Sequence, residues 1–166
     1  MMALKNSCVK ILSSTTTTLP MEIITVILFF LVLVSTWPAG TNSNAASVFV
    51  SGSDVYVAGV VNNVATLWKN GVATSLSEGA SSSTSVFVSG SDVYVAGEVD
   101  NVATLWKNGA PASLPAGAYA HPKSVFVSGS DVYICGPNGF GAVLWKNGVA
   151  TALTDATYAS SVFVTN

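Results

Sequence analysis

Arginine is absent from this 166-residue chain, and charged residues of every kind make up only 8% of it, where about a quarter is usual for a globular domain. Downstream of residue 46, four lysines face seven acidic residues. A sequence-independent grip on nucleic acid needs a basic surface, so a nucleic-acid partner is not expected. Polybasic recruitment to a membrane surface fails for the same reason. One histidine and two widely separated cysteines remove most routes to a zinc site. Cys135 is the only cysteine after residue 46, so that part of the chain has no partner for an intrachain disulfide. No phosphate loop, dinucleotide fingerprint or calcium loop occurs. A Gly-x-Ser-x-Gly elbow and an N-glycosylation sequon are also missing. No cofactor and no metal is expected.

The longest apolar run is also short. It covers residues 23–34, interrupted only by Thr25, which suits the core of an export signal and falls below the roughly 20 residues of a spanning helix. Lys5 and Lys10 precede it, and small residues follow it, with Ser43 and Ala45 placed for cleavage after Ala45. Residues 1–46 are therefore read as a signal peptide and short linker, and the protein as secreted or cell-surface. The alternative is an uncleaved membrane anchor. A start at Met21 would leave no basic residue before the core, and a mis-assigned gene start is a third reading.

What the chain has in quantity is repetition. The segment Ser-Val-Phe-Val-Ser-Gly-Ser-Asp-Val-Tyr-Val-Ala-Gly at residues 47–59 recurs unchanged at 85–97. Residues 124–136 repeat it with Ile134 and Cys135 in place of Val and Ala, and residues 161–164 begin it again. The resulting organisation is three repeats, 47–84, 85–123 and 124–160, followed by the first strand of a partial fourth at 161–166. Periods of this size mark supersecondary units that need their neighbours to bury a core.

Each repeat reads as four short strands. In the first, residues 48–50 lead through a Gly52 turn to residues 55–58. A polar connection over residues 60–63 precedes residues 65–69, and Asn70-Gly71, the strongest short hairpin signal, precedes residues 72–76. A loop rich in Ser, Ala and Gly returns to the next repeat. Val-Phe-Val and Val-Tyr-Val-Ala lack polar alternation, which indicates strands covered on both faces. Four-stranded meanders stacked face to face meet that requirement, so the expected fold is all-β with β-propeller-type blades. Trp68, Trp106 and Trp145 are expected to fill the gaps between blades, beside Tyr56, Tyr94 and Tyr133. Three blades and one strand do not close a ring of the usual 4–8 blades. The chain is then part of a longer one, or completes itself by oligomerisation, or forms a β-trefoil, which closes with three four-stranded units.

The order Asp-Val-Tyr-Val-Ala-Gly, a polar loop, then Leu-Trp-Lys-Asn-Gly resembles kelch-type propeller repeats over residues 47–166. It is closer still to a Val-Tyr-Val-Ala-Gly and Trp-Lys-Asn-Gly repeat of uncharacterised secreted bacterial proteins. The period is shorter than in kelch, and a single Gly (Gly59, Gly97) stands where kelch has two. The resemblance implies a propeller and carries no activity.

Candidate chemistry is sparse. Asp54, Asp92 and Asp131 follow Gly-Ser and are read as turn caps rather than as ligands. Lys69, Lys107 and Lys146 read as solvated flanks of the Asn-Gly turns. Cys135 takes the place of Ala58 and Ala96 and reads as a small buried side chain. His121 reads as a surface histidine without a catalytic partner. Glu98 and Asp100 occur only in the second repeat and form at most a weak glycosidase-like pair. No catalytic, ligand-binding or metal-binding residue stands out. The expected function is an exported, non-enzymatic binding or scaffold module of unknown ligand. Its alternatives are a carbohydrate-binding (lectin-like) module, a truncated fragment of a longer repeat protein, and a hydrolase. Partners are a glycan or protein ligand and the chain itself, by exchange of the strand at 161–164 with its identical copy at 47–50.

Overall fold

The computed structural model describes residues 42–115 and 119–165. The apolar core of the leader lies outside the described residues. Among those residues no helix is long and apolar enough to cross a membrane.

Among the described residues twelve strands form three separate four-stranded antiparallel sheets. The first blade contains β1 (Ser43–Ser51), β2 (Asp54–Val61), β3 (Val64–Lys69) and β4 (Val72–Ser75). The second contains β5 (Ser81–Ser89), β6 (Asp92–Val99), β7 (Val102–Lys107) and β8 (Ala110–Ser113). The third contains β9 (Ser124–Ser128), β10 (Asp131–Pro137), β11 (Ala142–Lys146) and β12 (Val149–Leu153). Among the described residues every strand pairs only with its sequence neighbours inside its own sheet. The architecture is thus blade-type, without ring closure. A β-trefoil would pair strands of different units around one barrel, and no such ladder forms among the described residues.

Turn chemistry sets these meanders. Asn70-Gly71 takes φ of 50° and 82°, Asn108-Gly109 52° and 82°, and Asn147-Gly148 51° and 80°, the double positive φ of a type I′ turn. The connection expected over residues 60–63 is shorter than its sequence suggests. Val60 and Val61 belong to β2, and Asn62-Asn63, at φ 50° and 64°, makes a second two-residue turn. Asparagine tolerates this region because its short polar side chain bonds locally.

The core lies in the seams between blades. Tyr56, Ala58, Ala65 and Leu76 of the first blade meet Val86, Val88, Val95 and Trp106 of the second. Tyr94, Ala96, Ala103 and Leu114 of the second meet Val125, Val127, Ile134 and Trp145 of the third. Alternate residues of one strand thus enter opposite seams, which is why the apolar runs lack polar interruption. Trp106 and Trp145 are fully buried there. The fourth strands β4 and β8 are exposed at every position, and Pro111 in β8 sits where an edge strand tolerates a missing N–H.

The serine-rich segment before the second repeat is strand rather than loop. Ser81 and Ser83 are buried within β5. Ser81 Oγ accepts the N–H of Ala65 at 2.7 Å, and Ser83 Oγ donates to the Gly59 carbonyl at 2.5 Å. Polar side chains can fill a seam when each finds a partner. A bulge follows between Ser83 and Ser85. Gly97 stands opposite it, and a Cβ there would overlap the carbonyl oxygen of Ser82.

One hydrogen bond repeats along the inner seam. Ser47 Oγ accepts the N–H of Val86 at 3.2 Å, Ser85 Oγ that of Val125 at 3.1 Å, and Ser124 Oγ that of Val162 at 3.2 Å. Phe49, Phe87, Phe126 and Phe163 stack beside it with centroid separations of 4.7, 4.9 and 5.0 Å. Residues 161–164 therefore lie on the third blade where the first strand of a fourth would lie.

Candidate binding site at the loop end of the blades

Because the meanders are antiparallel, the two ends of each blade carry different connections. The first-to-second and third-to-fourth turns lie at one end, the turn end. The second-to-third turns and the connections between blades lie at the other, the loop end.

At the turn end, one clasp of four side chains occurs three times. Lys69 Nζ lies 2.8 Å from Asp54 Oδ2 and 5.3 Å from the centroid of the Tyr56 ring. Asn70 Nδ2 donates to Asp54 Oδ1 at 2.8 Å, while Asn70 Oδ1 accepts the Val55 N–H at 2.8 Å. Asp92, Tyr94, Lys107 and Asn108 repeat the arrangement, as do Asp131, Tyr133, Lys146 and Asn147. The hydrogen bond from lysine, then that from asparagine, holds each Asp carboxyl below its ordinary range. The same Asp raises each lysine above its own. Two expectations are corrected here: the aspartates clasp the neighbouring hairpin instead of capping their own turn, and the lysines are ion-paired instead of merely solvated. Among the described residues no cluster of three His, Cys, Asp or Glu side chains is arranged to hold a metal.

The loop end carries Glu78, Glu98, Asp100, His121 and Asp155. Glu98 Oε2 lies 2.5 Å from His121 Nδ1, and Glu98 Oε1 accepts the Ser82 hydroxyl at 3.1 Å. His121, whose N–H donates to the Pro137 carbonyl of the third blade at 2.9 Å, is therefore a paired residue that ties the segment leading into that blade to the second, not a lone surface histidine. The Ser82 hydroxyl meets the carboxylate and not the imidazole, so this chain of groups lacks the nucleophile–base contact of an activated serine. Asp100 turns the other way. Its carboxylate oxygens lie 3.7 and 3.8 Å from where a Cβ on Gly79 would stand, and its N–H donates to the Ala80 carbonyl at 2.9 Å. Glu98 and Asp100 thus serve different neighbours and do not form a carboxylate pair across one site.

Between the first two blades a cavity of about 570 Å³ opens at this end. Leu76, Val99, Val102 and Pro111 give it apolar walls, and Ser77, Glu78 and Asp100 a polar border. Among the described residues no lysine or histidine lines it. Sequence reasoning singled out Asp100 but missed Glu78, Ser82 and the cavity, because only the seam brings residues 76–78 beside 99–113. Cys135 is 3% exposed, as the alanines it replaces predict, and burial pushes its thiol up.

No protein-family model matches the chain, and no curated protein matches it either.

Proposed function

We propose that this chain is an exported, non-enzymatic binding or scaffold module that takes its ligand at the loop end of β-propeller-type blades. The contrast between the two ends carries this reading. At the turn end every carboxylate is engaged by its own lysine and asparagine. At the loop end Glu78 and Asp100 are exposed and border a cavity that no lysine among the described residues lines. Cavities of a few hundred Å³ with apolar walls and a few polar groups are the usual form of small-ligand sites. The kelch-like order of Tyr and Trp supports a propeller-type framework, and the leader supports export to the exterior or the cell surface.

A carbohydrate-binding module is the second reading. It is favoured by a cavity whose polar groups are hydroxyls and carboxylates without a cation, suited to neutral hydroxylated ligands. Self-association is the proposed mode of assembly. Val48 and Val50 are 44% and 51% exposed, whereas their counterparts Val86, Val88, Val125 and Val127 are at most 7% exposed in the seams. A second copy offering the third-blade surface would cover them.

Presenting the full chain to glycan and protein arrays tests the reading. Saturable binding to a defined probe is expected, and absence of saturable binding to every probe would count against it.

A further inference from the structure

We propose that the cavity between the first and second blades binds a saccharide unit, one oxygen of which accepts a hydrogen bond from the indole N–H of Trp106. This rests on the loop-end binding reading and gives it a site and a ligand class.

Trp106 is fully buried, and its Nε1 has no hydrogen-bond partner among the described residues. Leaving a buried donor unsatisfied costs about 1–3 kcal/mol, so such a group calls for an acceptor. Its counterpart in the third blade has one, since Trp145 Nε1 donates to the Pro115 carbonyl at 2.8 Å. Pro115 follows Leu114 as Ser77 follows Leu76, so the matching acceptor position in the first seam belongs to Ser77. That residue lines the cavity. Its hydroxyl donates to the Gly79 carbonyl at 3.2 Å and meets that of Ser81. The Trp106 indole, which lines the cavity, thus lacks the acceptor that Pro115 supplies to Trp145.

The two seams also differ in polarity. Where the second seam buries Ala120 and Pro122, the first buries Ser81 and Ser83. A polar seam with one free donor, two bordering carboxylates and no cation disfavours anions. It suits a ligand with hydroxyl donors for Glu78 and Asp100, an acceptor oxygen for Trp106 and an apolar ring face for Leu76 and Pro111. A neutral pyranose has all three. The N–H carries no exposed surface, so an acceptor oxygen reaches it only when the side chains around Trp106 shift.

The test uses the full chain with its tryptophan indoles labelled with nitrogen-15, titrated with methyl glucoside, methyl galactoside and N-acetylglucosamine. At least one sugar is expected to shift the Trp106 indole signal saturably while the Trp145 signal stays in place. Trp106→Phe should weaken that binding at least about tenfold, the effect of one hydrogen bond. Asp100→Asn, at an exposed position, should weaken it without touching the buried seam. No shift of Trp106 with any of the sugars, or undiminished binding by both variants, would overturn the proposal. Glycan binding on the array with an unmoved Trp106 would overturn this site and leave the loop-end reading standing; no binding anywhere would overturn both.

Discussion

The hydroxyl of Ser124 accepts the backbone N–H of Val162 at 3.2 Å, the same bond by which Ser85 holds Val125 and Ser47 holds Val86. The last residues of the chain are thereby seated in the register of a new blade, with Phe163 as the fourth rung on the phenylalanine ladder. Neither of their edges has a strand beside it among the described residues, and unpaired edges template pairing with another chain. Deleting residues 160–166 is expected to lower the mass or the dissociation temperature of the self-associated protein in light scattering. Unchanged mass and melting would remove this segment from assembly.

Within the ladder, position decides cost. Phe87 packs between blades, whereas Phe163 is 73% exposed. Phe87→Ala should destabilise by about 2 kcal/mol, below the full-burial range because the ring is only half-buried. Phe163→Ala should change stability by less than about 0.5 kcal/mol. Urea unfolding of the two variants measures the difference.

The bulge glycine and the turn glycine separate two roles for one residue type. A Cβ on Gly97 would overlap the Ser82 carbonyl, while Gly90, at φ 59°, has open space around it. Gly97→Ala is expected to cost more than about 3 kcal/mol through forced backbone displacement. Gly90→Ala should cost about 1 kcal/mol through its positive φ alone. Equal melting temperatures for the two would contradict the close approach.

The clasps predict pH dependence at both extremes. Each Asp carboxyl is held below its ordinary 3.8 in the fold. Its contribution is therefore complete above that value and is lost as pH falls through the lower folded one. Each lysine is raised above 10.5, so its contribution is complete below 10.5 and is lost as pH rises through the higher folded value. The lysines are half-exposed, and salt screens such pairs. Replacing Asp54, Asp92 and Asp131 by Asn should flatten the acid limb of melting temperature against pH, and the flattening should shrink in high salt.

Repeat period, the Asn-Gly turns and the two-sided apolar strands were enough to read the blades from sequence. The clasp was harder, because Asp54 and Lys69 are fifteen positions apart. They meet only once the β2–β3 register, with Tyr56 opposite Lys69, is fixed. Ser81 and Ser83 resembled a loop because serine is rare in buried strands, and their partners Ala65 and Gly59 lie in the previous blade. The cavity was invisible for a related reason. It lies where the fold sets residues 76–78 beside residues 99–113, a neighbourhood that no spacing in the sequence announces.

The most direct test of loop-end binding compares two variants of the full chain on the array that detects the ligand. One carries Glu78→Gln and Asp100→Asn at the loop end; the other carries Lys69→Gln, Lys107→Gln and Lys146→Gln at the turn end. Binding lost in the first and kept in the second is the predicted result. Binding kept in the first and lost in the second, with both variants folded, would contradict it.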